Sequence, residues 1–263
     1  MRDPRSIVIT GGSSGLGAAL AEAYAAPGIA LALTGRDAAR LEAVAGRCRA
    51  AGAEVRTAVL DVTDRDRLSD WLASVDAAAP VDLVIANAGI SGGSGDGGET
   101  GEQARAILAT NVMGVVDTVM PLLPAMRARR RGQVAVMASL AGFAGLPSAP
   151  AYCASKAAVR VWGEALHGAV AHDGVEVSVI CPGFVRTPLT AVNPFPMPLL
   201  MDAGKAAAVI VAGLARGRAR IAFPWPTYLA VRLLSALPPG LVGWLLRRAP
   251  AKPELGRADV GGP

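Results

Sequence analysis

The sequence has few of the side chains that bind metals or form disulfide bridges. Among 263 residues it contains three cysteines and two histidines. Cys48, Cys153 and Cys181 are odd in number and lack the spacing of a metal site, which predicts reduced thiols in a cytoplasmic protein. Two histidines are too few for a histidine-based metal centre, so we predict no metal.

Long hydrophobic runs are also missing. Residues 1–5 lead directly into a short apolar segment, without the hydrophobic core and cleavage site of a signal peptide, so we predict none. Two apolar runs near the C-terminus, residues 228–237 and 241–246, are shorter than the roughly 20 residues of a membrane-spanning helix. With Trp225 and Trp244 beside them, these runs could lie in a membrane interface, or they could pack on the domain or on another subunit.

The positive charge is dispersed along the chain. The formal charge of +5 comes from scattered arginines, with one cluster formed by Arg127 and residues 129–131. This cluster closes a predicted helix, where cations interact favourably with the helix dipole. Aromatic residues make up only 4% of the sequence and none interleave with the cluster. It therefore indicates a solvated helix end, and we predict no nucleic-acid binding.

What the sequence does contain is a regular alternation of short apolar strands and helices. The predicted strands cover residues 6–10, 29–34, 54–60, 81–86, 133–138 and 176–181, with residues 220–223 a candidate seventh. The predicted helices cover residues 17–26, 38–51, 61–78, 102–130 and 152–172, the fourth being interrupted near Pro121 and Pro124. Such alternation predicts an α/β fold, a Rossmann-like, doubly wound parallel sheet of about seven strands with helices on both faces.

The sequence shows no internal linker, which predicts one domain over residues 1–250. Within it, residues 190–250 are predicted to form a substrate lid and an apolar, helical C-terminal extension. Residues 251–263 are predicted to be a disordered tail.

A glycine-rich loop follows the first predicted strand. Glycines there permit a tight turn and let a pyrophosphate approach the backbone at a helix N-terminus. A plain structural turn is the alternative. The loop also fits the nucleophile elbow of hydrolases, but that elbow lies in the middle of a sheet, and only ten residues precede Gly11 here. The candidate cofactor-binding residues are Thr10, Gly11, Ser13, Ser14, Gly15, Leu16 and Gly17.

The end of the second strand bears on which dinucleotide binds. Arg36 offers a guanidinium group for a 2′-phosphate, whereas the neighbouring Asp37 would disfavour that phosphate if it pointed inward. We therefore predict NADP(H) as the cofactor, with NAD(H) as the alternative.

Tyr152 and Lys156 stand four residues apart at the start of a predicted helix, so both side chains lie on one face. The chain has only three tyrosines and three lysines, and its other 23 basic residues are arginines. The pair predicts a phenol whose pKa is depressed by a nearby ammonium, so that it exchanges a proton near neutral pH. The alternative is a tyrosine packed on an aliphatic stem.

Together with further motifs, the loop and this pair make residues 6–189 resemble the short-chain dehydrogenase/reductase family. Asn87, Ala88 and Gly89 end the fourth strand, as in the family's Asn-Ala-Gly motif. Ser139 ends the fifth strand, thirteen residues before Tyr152, and Asn111 matches the family's helix asparagine. Other positions that resemble the family's cofactor contacts are Asp61, Val62, Pro182, Gly183, Val185 and Thr187. Taken singly, Ser139 also reads as a strand-end hydrogen bonder, Asn111 as a kink residue and Asp61 as an N-cap.

The resemblance implies hydride transfer between a nicotinamide and a carbonyl or secondary alcohol. Tyr152 would be the general acid or base, and Lys156 would lower its pKa and hold the nicotinamide ribose. Ser139 would orient the substrate oxygen, Asn111 would hold a water that links Lys156 to solvent, and Thr187 would contact the carboxamide. The alternative is a dinucleotide-binding regulator or scaffold with little turnover.

The expected substrate is a small apolar molecule. Phe195, Met197 and Leu199 fall where the family has a lid and would line an apolar pocket, or else the lid packs on its own core. A homodimer or homotetramer is expected. The predicted location is cytoplasmic, with peripheral membrane contact through the C-terminal helices as an option.

Overall fold

A computed structural model describes residues 3–94 and 98–247. Its main sheet contains seven strands: β1 (Ser6–Ile9), β2 (Ala30–Gly35), β3 (Glu54–Val59), β4 (Leu83–Ala86), β5 (Gly132–Met137), β6 (Val175–Pro182) and β9 (Arg220–Phe223). All neighbours pair in parallel, in the order β3-β2-β1-β4-β5-β6-β9. The Rossmann-like, doubly wound parallel sheet is therefore confirmed, including the candidate seventh strand.

The strand order reverses beside β1. Ile7 pairs with Leu31 of β2 on one side and with Leu83 of β4 on the other. All four residues of β1 and of β4 are buried, because helices cover both faces of the sheet. The loops that leave these two strands run to opposite faces, which opens a crevice at their carboxyl ends. The predicted tail, residues 251–263, lies outside the described residues.

Two layers of helices enclose the sheet. One layer packs around Ile7, Ile9 and Leu33 and comprises α1 (Gly15–Tyr24), α2 (Ala38–Ala50) and α9 (Ala203–Ala215). The other packs around Val8, Val84 and Val136 and comprises α3 (Arg65–Ala78), α5 (Gly114–Val119), α6 (Leu123–Ala128) and α7 (Pro150–Val170). The remaining helices are α4 (Gly101–Leu108), α8 (Pro188–Ala191), α10 (Trp225–Leu234) and α11 (Pro239–Leu246).

The long helix predicted at residues 102–130 is divided into parts. Helix α4 continues through a π-helical turn, Ala109–Met113, into α5, and α6 follows separately. By length and composition alone the stretch Gly101–Ala128 could cross a membrane, and 44% of its most apolar window is buried within the fold. Core helices pass the same test, and helices α5 and α6 contribute to the core beneath the sheet.

Some elements were predicted incompletely or not at all from the sequence. Helix α9 lies within residues 190–250, where helices were predicted without bounds, whereas the two-stranded parallel sheet of β7 (Val185–Arg186) and β8 (Met201–Asp202) was not predicted. The helix predicted from residue 61 begins at Arg65, because Asp64 caps it through the Arg67 amide. Asp61 instead accepts hydrogen bonds from the amide and hydroxyl of Thr63, so it is not the N-cap.

The arginine cluster at the end of α6 forms ion pairs at the amino end of the sheet. Arg127 pairs with Asp173 at 2.7 Å, Arg129 with Asp76 at 3.1 Å, and Arg131 with Asp82 at 3.0 Å. These carboxylates compensate much of the positive charge, as expected for a solvated helix end. The absence of nucleic-acid binding stays a prediction.

Candidate active site

The start of α7 carries Tyr152 and Lys156, both on the side that faces the end of β5. Lys156 is buried with 4% exposure, and its Nζ donates to the carbonyl of Met137 at 2.9 Å. The same Nζ lies 5.8 Å from the centroid of the Tyr152 ring. The first turn of α7 is held from outside by Glu99, whose carboxylate accepts from the Ala151 amide at 2.9 Å. The pair is thus placed at the carboxyl end of the sheet.

Ser139 lies beside the phenol. It follows β5 and caps a 3₁₀ turn, Leu140–Phe143, by accepting from the Ala141 amide at 3.1 Å. Its Oγ also lies 3.4 Å from the carbonyl of Pro182 at the end of β6. A hydrogen bond between Ser139 and Tyr152 lowers the pKa of the phenol. The sequence-predicted serine, tyrosine and lysine are therefore adjacent.

The direction of the Tyr152 pKa shift is a correction to the sequence-based expectation. Burial raises the pKa of Tyr152 to about 12, and the hydrogen bond from Ser139 offsets only part of that increase. Burial likewise lowers the pKa of Lys156 to about 8. Removal from water disfavours both charged forms, and it outweighs the attraction of a cation 5.8 Å from the ring centroid. The Tyr152 phenol is therefore protonated at neutral pH.

Asn111 lies in the π-helical turn and is completely buried. Its Oδ1 accepts from the Ile90 amide at 2.8 Å, and its Nδ2 donates to the Ile90 carbonyl at 2.9 Å and to Ser155 Oγ at 3.0 Å. Ser155 in turn donates to the Tyr152 carbonyl at 2.8 Å. Both amide hydrogens of Asn111 are used in this network, so its side chain ties the loop after β4 to α7. The water-holding role stays a prediction.

Sequence reasoning missed Ser155 in this network. The available signal was a hydroxyl three residues after Tyr152, on the same helical face. Nothing in the sequence indicated its partner, because Asn111 lies 44 residues away along the chain.

The glycine loop is held by polar side chains at the end of β4. Asn87 Nδ2 donates to the carbonyls of Thr10 and Gly11 at 3.0 and 3.1 Å. Thr10 Oγ1 accepts from the Asn87 and Ala88 amides at 3.2 and 3.3 Å. Gly11 has a φ of +66°, and a Cβ on Gly17 would lie 2.5 Å from Asn87 Nδ2 and closer still to the Gly11 carbonyl oxygen. Thr10 and Asn87 thus shape the loop.

The predicted cofactor segments converge around this loop. Ser14 begins α1 without capping it through its side chain, so the first-turn amides are left for an outside acceptor such as phosphate. A Cβ on Gly15 would lie 3.2 Å from the Thr187 side chain, so the segment after β6 reaches the loop. A Cβ on Gly89 would lie 3.5 Å from Lys156 Nζ. The glycine loop therefore lies beside the segment after β6, and the loop after β4 lies beside Lys156.

The cofactor segment after β6 has an internal support of its own. Thr187 caps α8 in a reciprocal arrangement with Thr190, which also donates to the Val185 carbonyl at 2.6 Å. Pro182 is the last residue of β6, and the Gly183 amide donates to the Phe223 carbonyl at 2.7 Å. These bonds place Thr187 beside the glycine loop.

The end of β2 presents Arg36 at the surface. Its guanidinium lies 3.9 Å from the Asp61 carboxylate, with both side chains partly exposed. Asp37 instead caps α2 and binds Arg40 through the amide at 2.9 Å and Nε at 2.7 Å. Val62 is buried against Gly114. The inward orientation of Asp37 that would oppose a 2′-phosphate is therefore not adopted.

The lid residues differ in their environments. Phe195 packs edge-on against Phe184 with ring centroids 6.2 Å apart, and Met197 Sδ accepts from Asn193 Nδ2 at 3.6 Å. Leu199 is 55% exposed. Phe195 thus packs on the segment after β6, Met197 contacts Asn193 within the lid, and Leu199 is exposed; whether these residues line an apolar pocket stays a prediction.

A cluster of arginines and aromatic rings supports the turn after Ser139. The Phe143 ring lies 4.6 Å from the Arg160 guanidinium and 5.5 Å from the Tyr228 ring in α10. Arg160 Nε donates to the Gly142 carbonyl at 3.2 Å, and Glu164 pairs with both Arg160 and Arg220. Sequence reasoning missed this cluster because its members come from four separate elements.

The described part of the chain contains no candidate metal-binding cluster. No group of three or more His, Cys, Asp or Glu side chains there could hold an ion. Cys48, Cys153 and Cys181 are buried free thiols, and burial raises the pKa of Cys181 to about 12.

Comparison with known proteins is consistent with this geometry. The sequence matches the family described as short chain dehydrogenase over residues 5–194. It is 40% identical over 245 residues to an uncharacterized oxidoreductase of Myxococcus xanthus (strain DK1622), covering 93% of this chain and 97% of the relative.

Two solved structures show the same architecture. A short-chain dehydrogenase from Sphingobium yanoikuyae in complex with NADPH superposes with a TM-score of 0.77 at 26% identity, covering 89% of this chain and 96% of that one. A short chain dehydrogenase/reductase from Burkholderia phymatum in complex with NAD superposes with a TM-score of 0.81 at 27% identity, covering 96% and 98%.

Proposed function

This chain belongs to the short-chain dehydrogenase family, and from its site we propose that it transfers a hydride between NADP(H) and the carbonyl or secondary alcohol of an apolar small molecule. The observation that carries the proposal is the contact of the Tyr152 phenol with Ser139 in front of the buried Lys156 ammonium. A dinucleotide-binding regulator needs a glycine loop but has no use for a proton donor at this place.

Each residue of the site has a defined part in the proposed reaction. A bound nicotinamide supplies or accepts the hydride. Ser139 donates a hydrogen bond to the substrate oxygen and orients it, and Tyr152 delivers a proton to that oxygen during reduction. In alcohol oxidation the direction reverses, and Tyr152 takes the proton. The protonated phenol favoured by burial suits reduction at neutral pH.

Lys156 holds the cofactor ribose and stabilises the phenolate electrostatically. Its Nζ uses one donor on the Met137 carbonyl, which leaves further hydrogens for the ribose hydroxyls. Asn111 binds Ser155 and thereby fixes the position of α7 relative to the loop after β4. The water that would join Lys156 to solvent belongs to this proposal.

The choice of NADP(H) over NAD(H) rests on Arg36. Its guanidinium stands at the end of β2, 3.9 Å from the Asp61 carboxylate, and has the planar fork that suits a 2′-phosphate. The two superposed structures hold NADPH in one case and NAD in the other, so they do not separate the two cofactors.

Replacing Arg36 with alanine is expected to weaken NADPH binding by about 10- to 100-fold, with less than about a threefold effect on NADH. Titration of each cofactor by fluorescence or calorimetry measures this. Arg49→Ala is the matched control, because Arg49 is exposed, pairs with Glu42 and lies near the other end of α2, away from Asp37. Equal losses for the two cofactors in Arg36→Ala would remove the argument for a 2′-phosphate.

The direct test of the proposed activity is consumption of NADPH with a panel of carbonyl compounds graded by apolar size. We expect consumption with lipophilic ketones or aldehydes and little with small polar ones, because the exposed lid side chains Val192 and Leu199 are apolar. Tight NADPH binding without consumption across the panel would favour the regulator. The homodimer or homotetramer and the cytoplasmic location also remain predictions, and light scattering of the purified chain tests the first.

A further inference from the structure

The two C-terminal helices expose large apolar side chains. In α10 these residues recur every four positions, so they form one stripe along the helix; in α11 they occur three and four residues apart. We call this set the C-terminal apolar surface: Trp225 (72% exposed), Leu229 (50%), Leu233 (64%), Leu241 (43%), Trp244 (57%) and Leu245 (48%). Side chains of this size are rarely left in water together without a partner.

The opposite sides of these helices attach them to the domain. Tyr228 and Val231 of α10 pack on the main core, and Val242 of α11 is buried. The Tyr228 hydroxyl accepts from Arg220 at 3.0 Å, and its ring contacts Phe143. The C-terminal apolar surface is therefore presented by anchored helices whose inner sides are already engaged.

Helices α10 and α11 carry no acidic side chain, and the carboxylate nearest to them in the described contacts, Glu164 of α7, is paired with Arg220. From residue 203 to residue 247 the sequence contains no aspartate or glutamate. Its charged side chains are all basic: Lys205, Arg216, Arg218, Arg220, Arg232 and Arg247. Arg232 lies in the last turn of α10, and Arg247 directly follows α11. The Arg247 guanidinium lies 5.4 Å from the Trp244 ring. Exposed leucines, tryptophans and arginines without acids form the pattern of a segment that binds an anionic interface.

We propose that the C-terminal apolar surface docks on an anionic phospholipid membrane. Leucines would enter the acyl region while Trp225 and Trp244 lie at headgroup depth and Arg247, beside Trp244, meets lipid phosphates; the Arg232 guanidinium lies 5.9 Å from the Phe143 ring instead. Two copies of this surface packed on each other about a twofold axis would bring the arginines of the helices together, and neither helix carries a carboxylate to compensate them. The charge pattern therefore favours lipid over a second copy of the chain.

The docked orientation would bring the active site towards the membrane. Helix α10 starts directly after β9, at the carboxyl end of the sheet, where Gly183 lies beside Pro224. It also packs on Phe143, in the turn that begins after Ser139. If the proposed function holds, an apolar substrate dissolved in the bilayer would reach the site without crossing much water.

The test is flotation of the full chain with vesicles of phosphatidylcholine alone or mixed with phosphatidylglycerol. We expect the chain to float with the anionic vesicles, weakly with the neutral ones, and less as salt increases. The double variant Leu229→Ser/Leu233→Ser should bind about tenfold more weakly or worse, since it removes apolar area without changing charge. Val209→Ser, an exposed apolar site on α9, is the matched control and should bind like the unmodified chain.

Two further measurements separate the outcomes. Thermal unfolding and NADPH binding of the double variant should match those of the unmodified chain, which would show that its fold and cofactor site are intact. Flotation does not require turnover, so its result remains valid even if the proposed activity fails. Light scattering should give the same mass for both chains. The absence of flotation with anionic vesicles would overturn the proposal. A double variant that has a lower molar mass but unchanged lipid binding would also overturn it, because the surface would then be a subunit contact.

Discussion

Replacing Tyr152 with phenylalanine is expected to lower kcat for a carbonyl substrate by about 10²- to 10⁴-fold, the usual contribution of a positioned general acid. The phenol is the donor that the geometry places beside Ser139, and burial keeps it protonated at neutral pH. Phenylalanine fills the same space and removes only the hydroxyl. NADPH affinity should therefore change by less than about threefold, because Lys156 and the glycine loop are untouched. Stopped-flow assays of NADPH oxidation measure kcat, and fluorescence titration measures binding.

Tyr24→Phe is the matched control for this substitution. Tyr24 ends α1, and burial raises the pKa of its phenol, as it does at Tyr152, but Tyr24 packs in the helix layer that contains α1, α2 and α9. Loss of its hydroxyl should leave kcat unchanged. A Tyr152→Phe chain that reduces the same carbonyl at the rate of the unmodified chain would assign the proton to another group.

Gly17→Ala is expected to weaken NADPH binding by at least about 100-fold and to destabilise the fold by about 1–3 kcal/mol. In an ordinary helix this change would add about 1 kcal/mol of stability. Here the added Cβ would lie 2.5 Å from Asn87 Nδ2 and nearer still to the Gly11 carbonyl oxygen. Either the loop moves away from α1 or Asn87 loses its bonds to Thr10 and Gly11, and both outcomes disrupt the glycine loop proposed to bind the pyrophosphate.

Gly46→Ala provides the opposite expectation within the same domain. Gly46 lies inside α2, and a Cβ there would meet nothing within 4 Å. Its replacement should stabilise the chain by about 0.5–1 kcal/mol and leave NADPH binding unchanged. Urea unfolding and cofactor titration of both variants give the comparison. If Gly17→Ala binds NADPH as tightly as Gly46→Ala, the close approach at Gly17 is not needed for cofactor binding.

The features predicted correctly are those that depend on short stretches of chain. The six strands and the candidate seventh follow from apolar runs bounded by turns, because a strand buried on both faces needs apolar residues throughout. The shared face of Tyr152 and Lys156 follows from helix geometry alone. The breaks near Pro121 and Pro124 follow from the missing amide of proline.

What only the tertiary structure decided depends on residues distant in sequence. The bond of Asn111 to Ser155, the approach of Thr187 to Gly15 and the donation of Lys156 to Met137 arise from the order in which strands pair. The Tyr152 pKa was predicted in the wrong direction, because desolvation depends on how completely the surrounding elements exclude water. For the same reason, composition identified the apolar C-terminal runs, but only packing determined which of their side chains face outward.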